Sequence, residues 1–169
     1  MLKTLLTASA AVLLAQAVHA ADNSALRSQA NMFFKPLPAT MPGCENDTPA
    51  KIALGEKLYF ETALSVNGTQ SCNSCHRLDE KLGGVDNKKF SDGAIKGKIG
   101  GRNSPTTWNA GLHFVQFWEG RAATLADQAK GPILNPVEMA MPSEKAAVDA
   151  LKKAGYSAEF DKALARKTP

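Results

Sequence analysis

Cys72-Asn73-Ser74-Cys75-His76 sets the terms on which the rest of this chain is read. Two cysteines separated by two residues and followed at once by histidine form the attachment motif of a c-type haem. Each thiol can add across a haem vinyl group, and the adjoining imidazole is then held beneath the iron. One turn of helix keeps both sulfurs and the ring nitrogen on the same side of the porphyrin. A redox Cys-x-x-Cys pair would want a βαβ setting, and a structural zinc would need a second pair of ligands. Neither is in view, because the remaining cysteine is Cys44 and the histidines outside the motif are His19 and His113.

Toward the N-terminus, Met1 to Ala20 reads as a cleaved secretory signal: Lys3, an apolar run from Leu5 to Val18, and Val18-His19-Ala20 before Ala21. The run is short and alanine-rich for a membrane span, and no basic stop-transfer cluster follows it. The expected compartment is the periplasm of a Gram-negative bacterium, with no membrane span once the signal is removed. The chain has 20 Lys and Arg against 16 Asp and Glu, a net charge of +4. Such a mild and dispersed excess argues against nucleic acid, while a modest basic face suits an acidic redox partner. The mature length fits one small domain, with haem as a large part of its apolar core.

Residues 21–47 are polar and proline-punctuated and are expected to form an extended arm; residues 48–169 are expected to be the haem domain. Cys44 is the odd thiol, either an incidental one or half of an intermolecular disulfide. Thr48-Pro49 starts a helix with a capping hydroxyl and a first-turn proline, and Leu54 and Leu58 recur at helical spacing through Phe60. Ser65 to Gln70 turns around Asn67-Gly68. Gly83 to Gly101 reads as a long surface loop. Leu112 to Trp118 is apolar and aromatic and should pack inside, on the haem. A short helix begins at Thr124 or Leu125 and should end at Gly131-Pro132. Ser143 caps a helix running to Lys153, and Ser157 caps another reaching Leu164. No strand or repeat is convincing, so the predicted fold is all-α, a cytochrome c-like haem domain with long irregular loops.

Several segments, in order, resemble the N-terminal, peroxidatic haem domain of bacterial di-haem cytochrome c peroxidases and the related haem enzymes of methylamine utilisation. They are Leu54-Gly55 through Leu58-Tyr59-Phe60, Cys72 to His76, Leu82 to Asp86, Gly101 to Thr106, Gln116 to Ala122, Asp127 to Pro132, and Asn135 to Met139. The resemblance implies that Trp118 is an electron relay between haems. It also implies that Gln128 and Glu138 lie over the iron, with Pro132 lining the same distal pocket. Asn103 matches an asparagine associated with calcium. Without the resemblance, Glu138 would read as a solvated carboxylate, Gln128 as a helix-surface residue, Trp118 as core and Asn103 as a turn residue.

Two departures stand out. The loop that in many relatives supplies a displaceable histidine ligand carries Ile95 at about the equivalent place, and no histidine lies between His76 and His113. The family also continues into a second haem domain, whereas this chain stops at Pro169. A fragment, a natural single-haem relative and half of a split enzyme are all consistent with that, and a second haem domain or another copy of the chain would be a partner.

The implied reaction is reduction of hydrogen peroxide to water with electrons from a small redox protein, a cytochrome c or cupredoxin. It needs an open sixth iron position and a proton-moving group. His76 would be the fifth ligand. Glu138 would be the acid/base, its pKa raised by burial beside haem. Gln128 would orient peroxide and Trp118 would pass the oxidising equivalent. The competing class is a single-haem electron-transfer cytochrome c without catalysis, its iron capped by Met139 or Met141. His113 reads as a core or surface histidine before it reads as a ligand.

Overall fold

The structure, a computed structural model, describes residues 23–79 and 82–165. The expected signal, residues 1–20, lies outside the described residues. The chain divides into two units between Ala39 and Thr40. In the first, residues 23–33 are helical rather than extended, and the side chains of Leu26, Met32, Phe33, Phe34 and Leu37 are exposed. Ala25, Leu26, Arg27, Gln29, Ala30 and Met32 all favour helix, and the first proline comes only at Pro36. The turns over residues 41–47 belong to the second unit, ahead of the predicted domain start at residue 48.

Among its described residues, the second unit has five short α-helices, two 3-10 turns and long loops. Helix α1, Pro49–Phe60, starts where the sequence places it: Thr48 Oγ1 accepts from Lys51 N at 3.3 Å, with proline in the first turn. It stops where Glu61 turns extended, and the Glu61 carboxylate then caps a 3-10 turn, Thr62–Leu64, by accepting from Ala63 N. The following turn is organised by buried Ser65, whose Oγ accepts from Thr69 N and Gln70 N, each at 3.0 Å. Gly68, at φ +68°, supplies the left-handed residue that this turn requires. Helix α2, Cys72–Cys75, is a single turn.

Helix α3, Leu125–Leu134, is capped by Thr124 and passes through Pro132 instead of ending there. Pro132 lies near the C-terminal end, so its missing N–H removes only the bond to the Gln128 carbonyl, and Asn135 N closes the helix on Gly131 O at 3.0 Å. Helix α4, Glu144–Lys153, starts at the Ser143 cap, with Lys152 and Lys153 in its last turn. Helix α5, Ser157–Ala163, begins at Ser157 itself after Tyr156, which has helical dihedrals. The chain stays compact from Ala154 through Gly155 (φ +94°), so no extended residue is left there for a serine cap to occupy.

Helix α5 packs on α1, where Lys57 pairs with Glu159 at 3.0 Å and the Tyr156 hydroxyl donates to Glu61 at 2.7 Å. Helix α4 packs on the Thr62–Leu64 turn. Between them sits the core: Leu64, Met139, Met141, Ala147 and Leu151, flanked by Leu58, Ile133, Leu134 and Phe160. Among the described residues there are no named strands, only isolated bridges between Asp92 and Ile99 and between Gln116 and Ala122. None of the described helices is long and apolar enough to cross a membrane.

One loop expectation changes. The 83–101 segment contains a small hairpin: Gly93 N donates to Lys98 O, Lys98 N to Ile95 O and Gly100 N to Ser91 O, with Ala94 buried. Glycines and lysines hide this pairing from any period-2 pattern. The polypeptide itself leaves most of the 112–118 stretch uncovered, the stretch expected to pack on the haem. Phe114 is 93% exposed, Trp118 60%, and of these residues only Gln116 is buried.

Candidate haem site

The proximal side is built around His76, which ends α2 with its N–H on Cys72 O at 2.9 Å. Its ring Nδ1 lies 2.9 Å from the Pro105 carbonyl oxygen. A carbonyl can only accept, so the proton belongs on Nδ1, and the Nε2 lone pair is left to bind a metal. Tyr59, on α1, donates its hydroxyl to the His76 carbonyl and meets Thr107 Oγ1 at 3.1 Å, fixing the backbone on either side of this contact. The Thr106 hydroxyl donates to Gly83 O at 2.6 Å, and Gly84 N donates to Arg77 O at 2.8 Å. Gly84 sits at φ +79°, and a Cβ there would come within 2.9 Å of Trp108 Cδ1 and 3.0 Å of Thr107 N. Only glycine allows the two segments to lie so close.

Cys72 and Cys75 are unpaired and partly buried, and burial pushes both thiols above their ordinary pKa. Two neighbouring thiols, one oriented imidazole and a polypeptide core with no large side chain fully buried among the described residues fit a covalently held haem. Its apolar faces would cover surface that the chain leaves exposed. The Cys75 thiol also feels the Asp86 and Glu138 carboxylates, which places Glu138 within electrostatic reach of the attachment turn.

Glu138 sits half-buried on the segment after α3. Burial pushes its carboxyl above the usual range, and the Arg121 charge and a hydrogen bond from Asn135 pull the other way. Pro132 joins α3 to this segment by accepting from Met139 N at 3.1 Å, and Ile133 O accepts from Met141 N at 2.8 Å. Gln128 is half-buried one turn before Pro132 on α3. Beside Gly131 lies the Phe117 ring, with the Arg121 guanidinium 3.4 Å from its centroid on the stacked face. Phe117 holds φ +64°, a rare conformation for a bulky residue that is found where the surroundings enforce it. Trp118, next in sequence, donates Nε1–H to Asn103 O at 3.0 Å.

Gln128, Pro132 and Glu138 are thus tied to one helix-and-loop unit, while Trp118 and Asn103 pair at an exposed edge. His113 is exposed after a 3-10 turn, Ala110–Leu112. The hollow beside Asn103 is lined by Val85, Asn87, Lys88, Lys89 and Ser104. The lining carries two ammonium groups, the Asp86 carboxylate is engaged by Ser104 Oγ at 3.2 Å, and no cluster of three acidic, histidine or cysteine ligands occurs among the described residues. Tyr59, Gly84, Pro105, Phe117 and Arg121 lie within the segments that carry the resemblance, but the sequence assigns none of them an individual role, and Thr107 lies just outside them.

Comparison with known proteins agrees with this geometry. The family model described as di-haem cytochrome c peroxidase matches residues 49–168. The cytochrome c peroxidase Ccp of Escherichia coli is 41% identical over 82% of this chain and 28% of its own length. The cytochrome c551 peroxidase of Nitrosomonas europaea is 41% identical over 96% of this chain and 46% of its own. Among solved structures, a MauG-like protein associated with microbial copper homeostasis aligns with TM-score 0.66 and 27% identity, over 81% of this chain and 40% of that one. The diheme peroxidase BthA of Burkholderia thailandensis aligns with TM-score 0.61 and 27% identity, over 69% and 33%. The chain spans less than half the length of these relatives. With the attachment motif, the oriented histidine and the matched segments all in register, the chain belongs to the di-haem cytochrome c peroxidase family.

Proposed function

We propose that this chain is a periplasmic peroxidatic domain that carries one covalent haem c and reduces hydrogen peroxide to water. Two electrons, drawn from a small cytochrome c or cupredoxin, and two protons are consumed for each peroxide. The observation that carries the reading is at residues 138–141. Met139 and Met141, the sulfur caps that a pure electron carrier would use, are only 5% and 7% exposed within the core beside Leu64, Ala147 and Leu151. The neighbouring Glu138 is a half-buried carboxyl that holds its proton more tightly than usual.

The haem, when bound, supplies the iron that binds peroxide and delivers the electrons that cleave its O–O bond. His76 is the protein ligand, with Pro105 holding its tautomer and orientation. Glu138 takes the proton from one peroxide oxygen and returns it to the departing one; a carboxyl with a raised pKa suits both halves of that task. Gln128 cannot titrate and acts by orienting peroxide or water through its amide. Trp118, held through its indole N–H, is exposed enough to pass electrons from a second haem domain or another copy of the chain. Ile95 offers no metal ligand, so the iron would be open without reductive activation if no other group bound it.

Replacing Glu138 with alanine tests this reading in haem-loaded protein under single-turnover conditions. Peroxide should still bind while O–O cleavage slows by about 10²–10⁴-fold. An unchanged cleavage rate removes Glu138 from the mechanism.

A further inference from the structure

We propose that Asn67 is a positioning residue, which holds Glu138 in place through the backbone of Ala94. This rests on the reading of Glu138 as the acid/base. The segment bearing Glu138 has its N–H groups and its carbonyls satisfied from different directions. Its donors turn back on the end of α3 and the following turn: Glu138 N and Ala140 N donate to Asn135 O, Met139 N to Pro132 O and Met141 N to Ile133 O. Its acceptors are met by two other loops. Ala94 N, in the 91–100 hairpin, donates to Glu138 O at 2.7 Å, and Val66 N donates to Met139 O at 2.9 Å.

Asn67 links those two loops. Its side-chain Nδ2 donates to the Ala94 carbonyl at 2.6 Å, and its Oδ1 accepts from Thr69 Oγ1 at 2.6 Å and from Thr69 N at 3.3 Å. Both ends of the amide are thereby specified, and the amide can point only one way. Residue Ala94 is thus held on both sides, its carbonyl accepting from Asn67 and its N–H donating to Glu138 O. Because Ala94 is buried, water is poorly placed to replace either partner. The hairpin itself is pinned at its base, where Gln70 Nε2 donates to Asp92 O at 2.7 Å. The turn that leads into the haem-attachment helix therefore also sets where the distal carboxyl sits.

Asn67→Asp is the discriminating variant: it keeps the acceptor facing Thr69 and sets a carboxylate oxygen against the Ala94 carbonyl. In the haem-loaded chain, hydrogen exchange at the Ala94 amide should accelerate at least tenfold. Single-turnover O–O cleavage should fall about 10–100-fold while the peroxide association rate holds. Loss of association in parallel with cleavage would mean general damage and would overturn the positioning role, as would unchanged cleavage. If Asn67→Asp does not fold, Asn67→Ser takes its place with the same readouts: faster Ala94 exchange with slowed cleavage supports the clamp, and an Ala94 amide as protected as in the wild type overturns it. Should Glu138→Gln leave cleavage intact, the acid/base reading fails on its own, and the Ala94 exchange rate still reports on the clamp.

Discussion

Gly93→Ala perturbs the contact on which the distal segment rests. A Cβ at residue 93 would lie 2.4 Å from the Val137 carbonyl oxygen, below the 3.0 Å that real Cβ atoms hardly ever breach. The obstacle is backbone, so it cannot swing aside like the tip of a side chain. Hairpin and segment must part by at least about 0.6 Å, which stretches the 2.7 Å bond from Ala94 N to Glu138 O to about 3.3 Å and weakens it. Overpacking of this kind costs about 1–3 kcal/mol. At about 4 °C per kcal/mol for a domain of this size, melting should fall by roughly 4–12 °C. If Glu138 is the acid/base, a displacement of this size at its carboxyl should also slow O–O cleavage, by about tenfold. The assay pairs thermal denaturation of the haem-loaded protein with stopped-flow peroxide reaction, using Ala94→Gly, which adds no atom, as a comparison. Melting and cleavage both indistinguishable from wild type would show that the hairpin does not bear on Val137.

Burial raises the Glu138 pKa, so the folded state holds that proton more tightly than the unfolded chain does; stability then falls as pH rises from the unfolded carboxyl range through the folded value. Urea denaturation across that window should show Glu138→Gln gaining on wild type as pH rises, and a constant difference would contradict the burial argument. Arg121 pulls the same pKa down, so Arg121→Gln should move the Glu138-dependent limb of the cleavage rate to higher pH; an unmoved limb would mean that the guanidinium serves only its Phe117 stack and Glu119 pair. Tyr59→Phe removes the donor to the His76 carbonyl and should cost about 1 kcal/mol in denaturant titration without altering haem attachment. No loss would show that water satisfies that carbonyl equally well.

Local signals in the chain were legible because the chemistry is local. Thr48, Thr124 and Ser143 cap the helices their hydroxyls announce, and the Cys-x-x-Cys-His run forms the single turn its spacing requires. What stayed hidden depends on contacts between distant segments. Leu112–Trp118 reads as packing on the haem, and the polypeptide by itself leaves most of it exposed, because hydrophobicity alone does not say which surface will cover it. Pro132 reads as a helix stop, yet near a helix end its single lost bond is affordable. Met139 and Met141 read in the sequence as iron caps of the competing class, and the structure packs them in the core with Leu64 and Leu151. The Asn67–Ala94–Glu138 chain runs mainly through backbone groups, which carry no side-chain signature.

The central claim is a haem fastened through Cys72 and Cys75, ligated by His76 and free of protein sulfur on its opposite face. Absorption spectroscopy of the oxidised and reduced haem-loaded protein, before and after peroxide, tests it most directly. The account expects no sulfur-to-iron charge-transfer band in the oxidised form and a prompt spectral change with peroxide. A sulfur band together with indifference to peroxide in both redox states would contradict it and leave an electron carrier.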